Sequence, residues 1–447
     1  MKQTRLAVIV LLIAMCAFSW FLVGRKLADT MGNLQSLIDQ GHSYQERGLY
    51  EKAIESYNNA IAQSPSRELY DSLVQSCESY YQERPTNAVE NTLLAAYNAA
   101  TAAYPDEVSY WERYVQIYLD DSDFSKAVDT LRQAERENVS SDTLSAQWVQ
   151  AYYSVKEQYQ KYESITPLEN EDAYTVQTGD LYGAVNSSGS EVVAMNYSYT
   201  CPVGEDGVVL CSTVEGEVQI FDADGVMIGR FPGTVEEARA YSEDLIPARL
   251  QGRQDWCYLD LEGNEVLSGY QQAGCFQDGT AAVQLDTGEW CLIGKDGTQT
   301  SDTTWENVRL DPMGRWMQDD VMLIQTDGSW KIADHSGEIV EGFTCEGIDF
   351  CSNGEPIAFC QAGQWGFVNT DGTVLIQPAY ESAHSFSGGV AAIYVDGSWD
   401  FIDTQGNVVV DGNFADTGYF SPESGTCPVL ENEDAPEWHL IVWSVAH

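Results

Sequence analysis

The spacing of hydrophobic residues divides the chain into three segments. Residues 6–24 are mostly apolar and uncharged, whereas from residue 34 to residue 165 apolar side chains recur every three or four positions. From residue 171 to 447, short stretches alternate between apolar and polar residues and are separated by Asp-Gly and Glu-Gly turns. Spacing of three and four residues predicts amphipathic helices, and alternation predicts strands. The pattern therefore predicts a multidomain chain: a transmembrane helix, then an all-α domain, then an all-β domain.

Residues 6–24 predict a membrane segment, because they carry no charge and basic residues flank them on both sides. Since a helix needs about 20 apolar residues to cross the hydrocarbon of a bilayer, we interpret residues 1–26 as an uncleaved, single-pass anchor. The short tail before the run favours an orientation with the remaining chain outside the cytoplasm. Two alternatives stay open: a signal peptide cleaved at Ala17, Phe18 and Ser19, which would release a secreted protein, and lipid attachment at Cys16.

Residues 34–165 predict helical repeats. Small residues would let neighbouring helices approach closely, aromatic side chains would fill the seam between them, and a proline would end the second helix. The positions that mark this pattern are Gly41, Tyr44, Ala53, Tyr57, Ala60, Pro65, Trp111 and Ala127. A further helix over residues 142–163 is expected to cover the end of the array.

This spacing resembles that of the tetratricopeptide repeat, a helix–turn–helix unit of about 34 residues. The resemblance is closest in the first unit and weaker in the later ones, where the period is irregular. It implies an α-solenoid. We interpret the aromatic residues mainly as packing between helices, and the alternative is that some of them line a concave groove for a peptide.

One unit led by an aromatic residue recurs through residues 171–447. In its best copy Trp365 and Gly366 begin a strand, Gly372 allows a tight turn, and three more strands follow. The Trp residues that begin successive units are 34 to 40 residues apart. The leading aromatic residues are Tyr182, Trp256, Trp290, Trp330, Trp365, Trp399 and Trp438, with a degenerate copy near Glu217. Seven full units and the first strand of an eighth are predicted.

The unit resembles the WG-repeat family, which takes its name from the Trp-Gly pair. Trp365 and Gly366 match it best, whereas other units replace the glycine by Cys, Lys, Asp or His. The resemblance implies a β-repeat fold and little about function. Because four-stranded units cannot bury their faces alone, seven or eight of them favour a closed β-propeller over an open β-solenoid. Residues 174–177 resemble a last strand and residues 438–442 a first strand, and pairing the two would close the ring.

Composition excludes several classes of protein. The chain has 69 Asp and Glu against 22 Lys and Arg, a formal net charge of -47. No stripe of basic residues is present, which argues against nucleic acid as a ligand and against docking on anionic lipid. An aromatic content of 11% argues against disorder. The 11 cysteines include no CxxC pair, and both disulfides and buried free thiols stay open.

Candidate chemistry is sparse. None of the five histidines has metal-ligand spacing to another His or to a Cys, and no nucleophile elbow, HExxH motif or phosphate-binding loop is present. Asp222, Asp224 and Gly225 resemble the start of a calcium loop, but they match the turn of the other units. One 40-residue interval, which carries Arg309 and Arg315, is the only notable insertion. We therefore predict no catalytic residues, no metal site and no cofactor.

These features predict a membrane-tethered, extracytoplasmic binding or scaffold protein without catalysis. Its partner would be an envelope or extracellular protein or peptide, and the acidic surface favours a basic one. A glycan is an alternative ligand, and contact with a membrane would involve the N-terminal helix only. The alternative function is an exported glycan-active hydrolase or lyase with a site at one face of the β ring.

Overall fold

The computed structural model describes residues 32–432, 434 and 437–445, and the chain divides into two units between Tyr152 and Tyr153. The described part of the first unit is helical. Its helices are α1 (32–46), α2 (Tyr50–Gln63), α3 (Arg67–Glu83), α4 (Asn87–Ala103), α5 (Val108–Asp120), α6 (Phe124–Arg136) and α7 (Asp142–Tyr152). The predicted anchor at residues 1–26 lies outside the described residues. Within the described part, no helix has the length and hydrophobicity needed to cross a bilayer.

Polar residues explain where several helices begin. Ser66 and Thr86 each accept a hydrogen bond from the amide three residues further on, at the starts of α3 and α4, and Asp123 does the same for α6. Such caps satisfy amides that have no partner within the helix. Pro65 and Pro85 directly precede two of these caps, and the preceding helices end before each proline.

The positions that mark the helical repeats lie mostly in the interior of this unit. Six of them are buried: Gly41, Ala53, Tyr57, Ala60, Trp111 and Ala127. Tyr44 is half-buried and Pro65 is exposed. A Cβ atom on Gly41 would lie 2.6 Å from the ring of Tyr57, so only glycine lets α1 and α2 approach this closely.

The second unit contains eight sheets, which we number as blades of a β-propeller. Blade 1 has β2 (Ser164–Ile165), β3 (Ala173–Thr178), β4 (Leu181–Asn186) and β5 (Glu191–Tyr197). Blade 2 has β6 (Tyr199–Thr200), β7 (Val209–Ser212), β8 (Glu217–Phe221) and β9 (Met227–Pro232). Blade 3 has β10 (Val235–Ala238), β11 (Ile246–Leu250), β12 (Trp256–Leu259) and β13 (Glu265–Tyr270). Blade 4 has β14 (Gln272–Gln277), β15 (Thr280–Gln284) and β16 (Trp290–Gly294).

The remaining blades follow in chain order, except that the last one also takes the first strand of the unit. Blade 5 has β17 (Asn307–Val308), β18 (Met317–Gln318), β19 (Val321–Thr326) and β20 (Ser329–Ala333). Blade 6 has β21 (Gly347–Ile348), β22 (Ile357–Gln361), β23 (Gln364–Val368) and β24 (Val374–Tyr380). Blade 7 has β25 (Ser382–Ala383), β26 (Ala391–Val395), β27 (Ser398–Ile402) and β28 (Val408–Phe414). Blade 8 has β29 (Asp416–Thr417), β30 (Thr426–Leu430), β31 (Trp438–Trp443) and β1 (Val155–Glu157).

The predicted β-propeller is confirmed, and it has eight blades. Six of the seven leading aromatic residues lie on the third strand of their blade, and Trp330 lies on β20, the last strand of blade 5. Three of these residues are buried, namely Trp256, Trp290 and Trp399, and four are half-buried, namely Tyr182, Trp330, Trp365 and Trp438. A Cβ atom on Gly366 would lie 2.6 Å from the carbonyl oxygen of Ile376 on the outer strand β24. This close approach explains the glycine of the Trp-Gly pair.

Ring closure differs from the expectation. The antiparallel partner of β31 is β1, at Val155–Glu157, whereas residues 174–177 lie in β3 of blade 1. The helix expected over residues 142–163 ends at Tyr152, and the second unit begins well before residue 171. Residues 153–163 keep a helical spacing of apolar side chains, but pairing with a strand near the other end of the chain overrides that local preference.

Replacing Trp256 by Ala should destabilise the propeller more than replacing Trp365 by Ala. The Trp256 side chain is 1% exposed, and the Arg239 guanidinium lies 5.0 Å from its ring centre, whereas Trp365 is half-buried. We expect a loss of about 3–5 kcal/mol at Trp256 and a smaller one at Trp365. Urea unfolding followed by fluorescence and circular dichroism measures both, and an equal loss at the two positions would contradict the burial argument.

Candidate functional site at the propeller axis

The first strands of the blades lead into loops that meet at the propeller axis. The amide of Ala240 in blade 3 donates to the carbonyl of Met313 in blade 5, at 2.9 Å, although blade 4 separates them along the ring. Six buried side chains from six different blades pack into one cluster: Leu168, Ala240, Cys275, Met313, Phe350 and Tyr419. Apolar side chains therefore fill the axis at this level.

Residues 309–318, which we call the axis loop, reach from blade 5 to blades 3 and 4. The side-chain oxygen of Gln277 accepts from the amide of Trp316 at 2.9 Å, and its side-chain nitrogen donates to the carbonyl of Met317 at 2.8 Å. Gly314 has φ +94°, and a Cβ atom there would lie 2.8 Å from the side chain of Arg239. Glycine is thus required for the loop to fit. The sequence analysis identified the interval with Arg309 and Arg315 as an insertion, but it did not predict that this interval lies near the axis.

Asp311 holds the axis loop in shape. Its Oδ1 atom accepts from the amides of Met313 and Arg315 at 2.9 and 2.8 Å, and its Oδ2 atom accepts from Arg315 Nε at 2.6 Å. The carboxylate is buried. Since Arg315 neutralises it and the backbone amides satisfy it, Asp311 is not available to bind a ligand.

A second buried carboxylate, Asp349, is satisfied in the same way. Its Oδ2 atom accepts from the Tyr419 hydroxyl at 2.8 Å and from the amide of Ser385 at 2.9 Å. Its Oδ1 atom lies 3.5 Å from Nη2 of Arg309, whose side chain is 44% exposed. Burial and the nearby Asp349 carboxylate hold the pKa of Tyr419 well above its usual value. Tyr419 therefore stays a neutral donor.

His384 lies between two aromatic rings beside this carboxylate. The centre of its ring is 4.7 Å from that of Tyr419 and 4.5 Å from that of Trp399. Its Nδ1 atom is buried and has no hydrogen-bond partner among the described residues. Burial lowers the pKa of His384, and Asp349 and Asp416 oppose that shift. A neutral imidazole in this position packs and does not donate a proton at neutral pH.

A small cavity lies between blades 5 and 6, beside Arg309, Arg315 and Phe350. It measures ≈ 10 Å³, about the room that one water molecule needs. Its polar neighbour Asp311 bonds to Arg315 and to backbone amides. This cavity is too small for a substrate.

A larger pocket of ≈ 230 Å³ lies among α3, α4 and α5 of the helical unit. We call it the acidic groove, and it is lined by Glu78, Tyr81, Gln82, Leu93, Arg113, Gln116, Ile117, Asp120 and Asp121. Glu78 accepts a hydrogen bond from the Tyr97 hydroxyl at 2.6 Å and pairs with Arg113 at 3.1 Å. A hydrogen bond with Asp121 raises the pKa of Glu90, next to the groove. Carboxylates therefore crowd one end of the groove.

Other predicted features have structural roles. The Oδ1 atom of Asp222 accepts from the amides of Asp224 and Val226 at 3.0 and 2.9 Å, as expected for an ordinary turn between β8 and β9. The ten described cysteines are free, and nine are buried. Burial raises the pKa of Cys77 to about 12, so such thiols are unreactive. In the described part of the chain, one group of three side chains has the spacing of a metal site: Glu157, Glu431 and His439.

Comparison with known proteins supports the repeat assignment over part of the chain. The family described as "WG containing repeat" matches residues 256–290 and 365–399. No curated protein matches the sequence. Among solved structures, BamB from Moraxella catarrhalis is similar, with a TM-score of 0.44 and 13% identity, over 66% of this chain and 98% of that one. Hsv2 from Kluyveromyces lactis has a TM-score of 0.34 and 10% identity, over 53% of this chain and 94% of that one.

Stability should depend on pH through His384. Folding lowers the pKa of His384 below its value in the unfolded chain, about 6.5. The stabilising contribution of such a base is complete at pH values above about 6.5 and is lost as the pH falls. Between pH 7 and pH 5 the free energy of unfolding of the wild type should therefore fall relative to His384→Phe, which keeps the ring stacking. The slope is at most about 1.4 kcal/mol per pH unit, and urea unfolding at several pH values measures it.

His335 provides a control of opposite sign. It is exposed, and its bond with Asp320 raises its pKa. Its contribution is therefore present at low pH and lost as the pH rises. The measured quantity is the difference in the free energy of unfolding between the wild type and each variant. If this difference for His384→Phe does not change with pH, or changes in the same direction as for His335→Gln, then His384 is not a buried neutral imidazole.

Proposed function

We propose that this protein is a membrane-tethered, extracytoplasmic binding protein that recognises a basic segment of a partner protein and has no catalytic activity. In this proposal α1–α7 form a tetratricopeptide-like array that carries the acidic groove. The propeller acts as a rigid scaffold and offers further recognition surface. The acidic groove is the observation that carries the proposal.

The charges of the acidic groove favour a cationic guest. Asp120 and Asp121 are exposed at one end, and the hydrogen bond between Asp121 and Glu90 raises the pKa of Glu90. This shift reflects carboxylates held close together, where a lysine or arginine side chain would relieve their repulsion. The charge of Lys126 opposes the rise in the pKa of Glu90. The Lys126 ammonium already donates a hydrogen bond to Asp123, at 2.5 Å. Leu93 and Ile117 line the same pocket and would pack against the aliphatic part of the guest.

The propeller axis supports binding over catalysis. Met313 of the axis loop packs in the buried cluster contributed by six blades, and the buried acids Asp311 and Asp349 bond to Arg315, Tyr419 and backbone amides. An active site needs a space in which a substrate meets groups that are free to react. The ≈ 10 Å³ cavity beside Arg309 and Phe350 does not offer such a space.

Peptide binding tests the groove. A lysine-rich peptide labelled with a fluorophore should bind the full-length chain, and the affinity should fall with added salt because exposed charges are screened. Changing Asp120 and Asp121 together to Asn should weaken binding about tenfold, equivalent to about 1.4 kcal/mol. The matched control changes Asp106 and Asp142 to Asn, which removes the same charge from exposed positions outside the groove.

Two outcomes would contradict this assignment. Equal losses of affinity in both double variants would show that only net charge matters. Turnover of a polysaccharide, peptide or ester that disappears when one acid or histidine is changed would show that the protein is an enzyme.

Location is tested separately. The proposal places the chain outside the cytoplasm because residues 6–24 have the length and composition of a membrane anchor. Protease added to intact cells should digest the two folded units, and the protein should sediment with membranes. Protection until the cells are lysed would contradict this orientation, and recovery in the medium would indicate a cleaved signal peptide.

A further inference from the structure

Three metal-ligating side chains converge where the propeller ring closes. Glu157 is the last residue of β1, Glu431 follows β30, and His439 lies on β31. One ligand atom from each lies within 4.8 Å of the other two. His439 Nε2 and Glu431 Oε1 are 3.9 Å apart. Residues from both ends of the unit thus meet at one point.

The imidazole of His439 is buried without a partner. Its side chain is 1% exposed, and neither Nδ1 nor Nε2 has a hydrogen-bond partner among the described residues. Buried polar atoms are nearly always satisfied, and each exception calls for an explanation such as an ion. The two glutamates beside it are exposed, so their side chains can move toward the imidazole.

His439 occupies a position that differs in residue type from blade to blade. It follows Trp438, in the place that Gly366 takes after Trp365. At Gly366 a side chain would meet the backbone of the outer strand at 2.6 Å. In blade 8 the outer strand β1 has only three residues, and Tyr159 just beyond it is 99% exposed. Other blades also carry side chains at this position, namely Cys257, Cys291, Lys331 and Asp400, and His439 differs from these four in that both of its ring nitrogens are buried without a partner among the described residues.

We propose that His439, Glu157 and Glu431 bind a divalent transition-metal ion, Zn²⁺ being the best match. One imidazole nitrogen and two carboxylate oxygens suit zinc, whereas calcium and magnesium prefer oxygen ligands alone. Ligands of tetrahedral zinc lie about 3.4 Å apart, given metal–ligand bonds of about 2.1 Å. The glutamate side chains therefore close slightly around the ion, and water completes the coordination.

Lys161 is the competing cation at this site. It pairs with Glu437 at 3.1 Å, and Glu431 and Glu157 add to the rise in its pKa. A lysine ammonium can offset the charge of the carboxylates, but it leaves the imidazole of His439 without a partner. A metal ion satisfies the two glutamates and the histidine together.

The site joins the first strand of the ring to the last two. An ion that binds only the folded state stabilises that state in proportion to its concentration and affinity. Because β1 contributes Glu157, whereas Glu431 and His439 come from the C-terminal strands of the same blade, the ion would act on ring closure itself. This role is independent of peptide binding at the acidic groove.

Metal binding is tested on the full-length chain after removal of metal with a chelator. We expect Zn²⁺ to bind with a stoichiometry of one by titration calorimetry, to raise the melting temperature, and to slow amide exchange at residues 155–157. Co²⁺ should give the visible absorption of a low-coordinate site. Ca²⁺ and Mg²⁺ should not reproduce these effects at equal concentration, although they screen the acidic surface.

Variants decide whether these residues are the ligands. Glu157→Gln, Glu431→Gln and His439→Gln should each weaken zinc binding at least tenfold and abolish the shift in melting temperature. Glu423→Gln, an exposed acid of the same blade, and His335→Gln, an exposed histidine elsewhere, should bind zinc as the wild type does. Unchanged binding in Glu157→Gln and Glu431→Gln, or no zinc binding by the wild type, would overturn the proposal. These two exposed positions decide the matter even where His439→Gln does not fold.

Discussion

Pairing between β1 and β31 is the contact on which the propeller depends, because it is the only one that joins the two ends of the described β unit in one sheet. It comprises three residue pairs, from Val155 with Trp443 to Glu157 with Ile441. The amide of Gln158 extends it by donating to the carbonyl of Leu440 at 2.8 Å, and Tyr162 and Trp438 exchange two hydrogen bonds. Without this short ladder β31 would present an unpaired edge, and open edges invite pairing with other chains. A pairing of three residues between strands that are far apart in the sequence therefore determines whether the ring is closed.

The acidic composition is also part of the fold. In several blades an aspartate at the turn between the third and fourth strands accepts hydrogen bonds from backbone amides of its own turn: Asp222, Asp260, Asp334 and Asp403. Hydrogen bonds favour the charged form, and the Ser336 hydroxyl together with the backbone amides lowers the pKa of Asp334. These four of the 69 acids therefore have structural roles in their turns. Exposed glutamates that converge on an unsatisfied histidine are different, since no backbone amide engages them in the described structure.

The sequence predicted the repeat architecture because each blade is a local unit. The leading aromatic residues mark one strand in each blade except blade 2, where β8 begins at Glu217, and the turn glycines mark the strand ends. Contacts between distant residues were not predictable in this way. The strand at Val155–Glu157 is too short to interrupt a helical pattern, and the route of the axis loop depends on Gln277 and Ala240, which come from other blades. The candidate metal site was missed because spacing rules look for ligands close in sequence, whereas Glu157 lies far from His439.

Ring closure brings the candidate metal ligands together. In blade 6 the outer strand returns through a tight turn and approaches the third strand so closely that Gly366 is required, whereas Asp400 takes that position in blade 7. In blade 8 the outer strand comes from the other end of the unit. It pairs with β31 over three residues, leaves Tyr159 in solvent, and pairs again where Tyr162 and Trp438 exchange hydrogen bonds. His439 lies between these two stretches of pairing. Its imidazole can bind a metal ion, and it lies beside the carboxylates of Glu157 and Glu431, which come from the two ends of the unit.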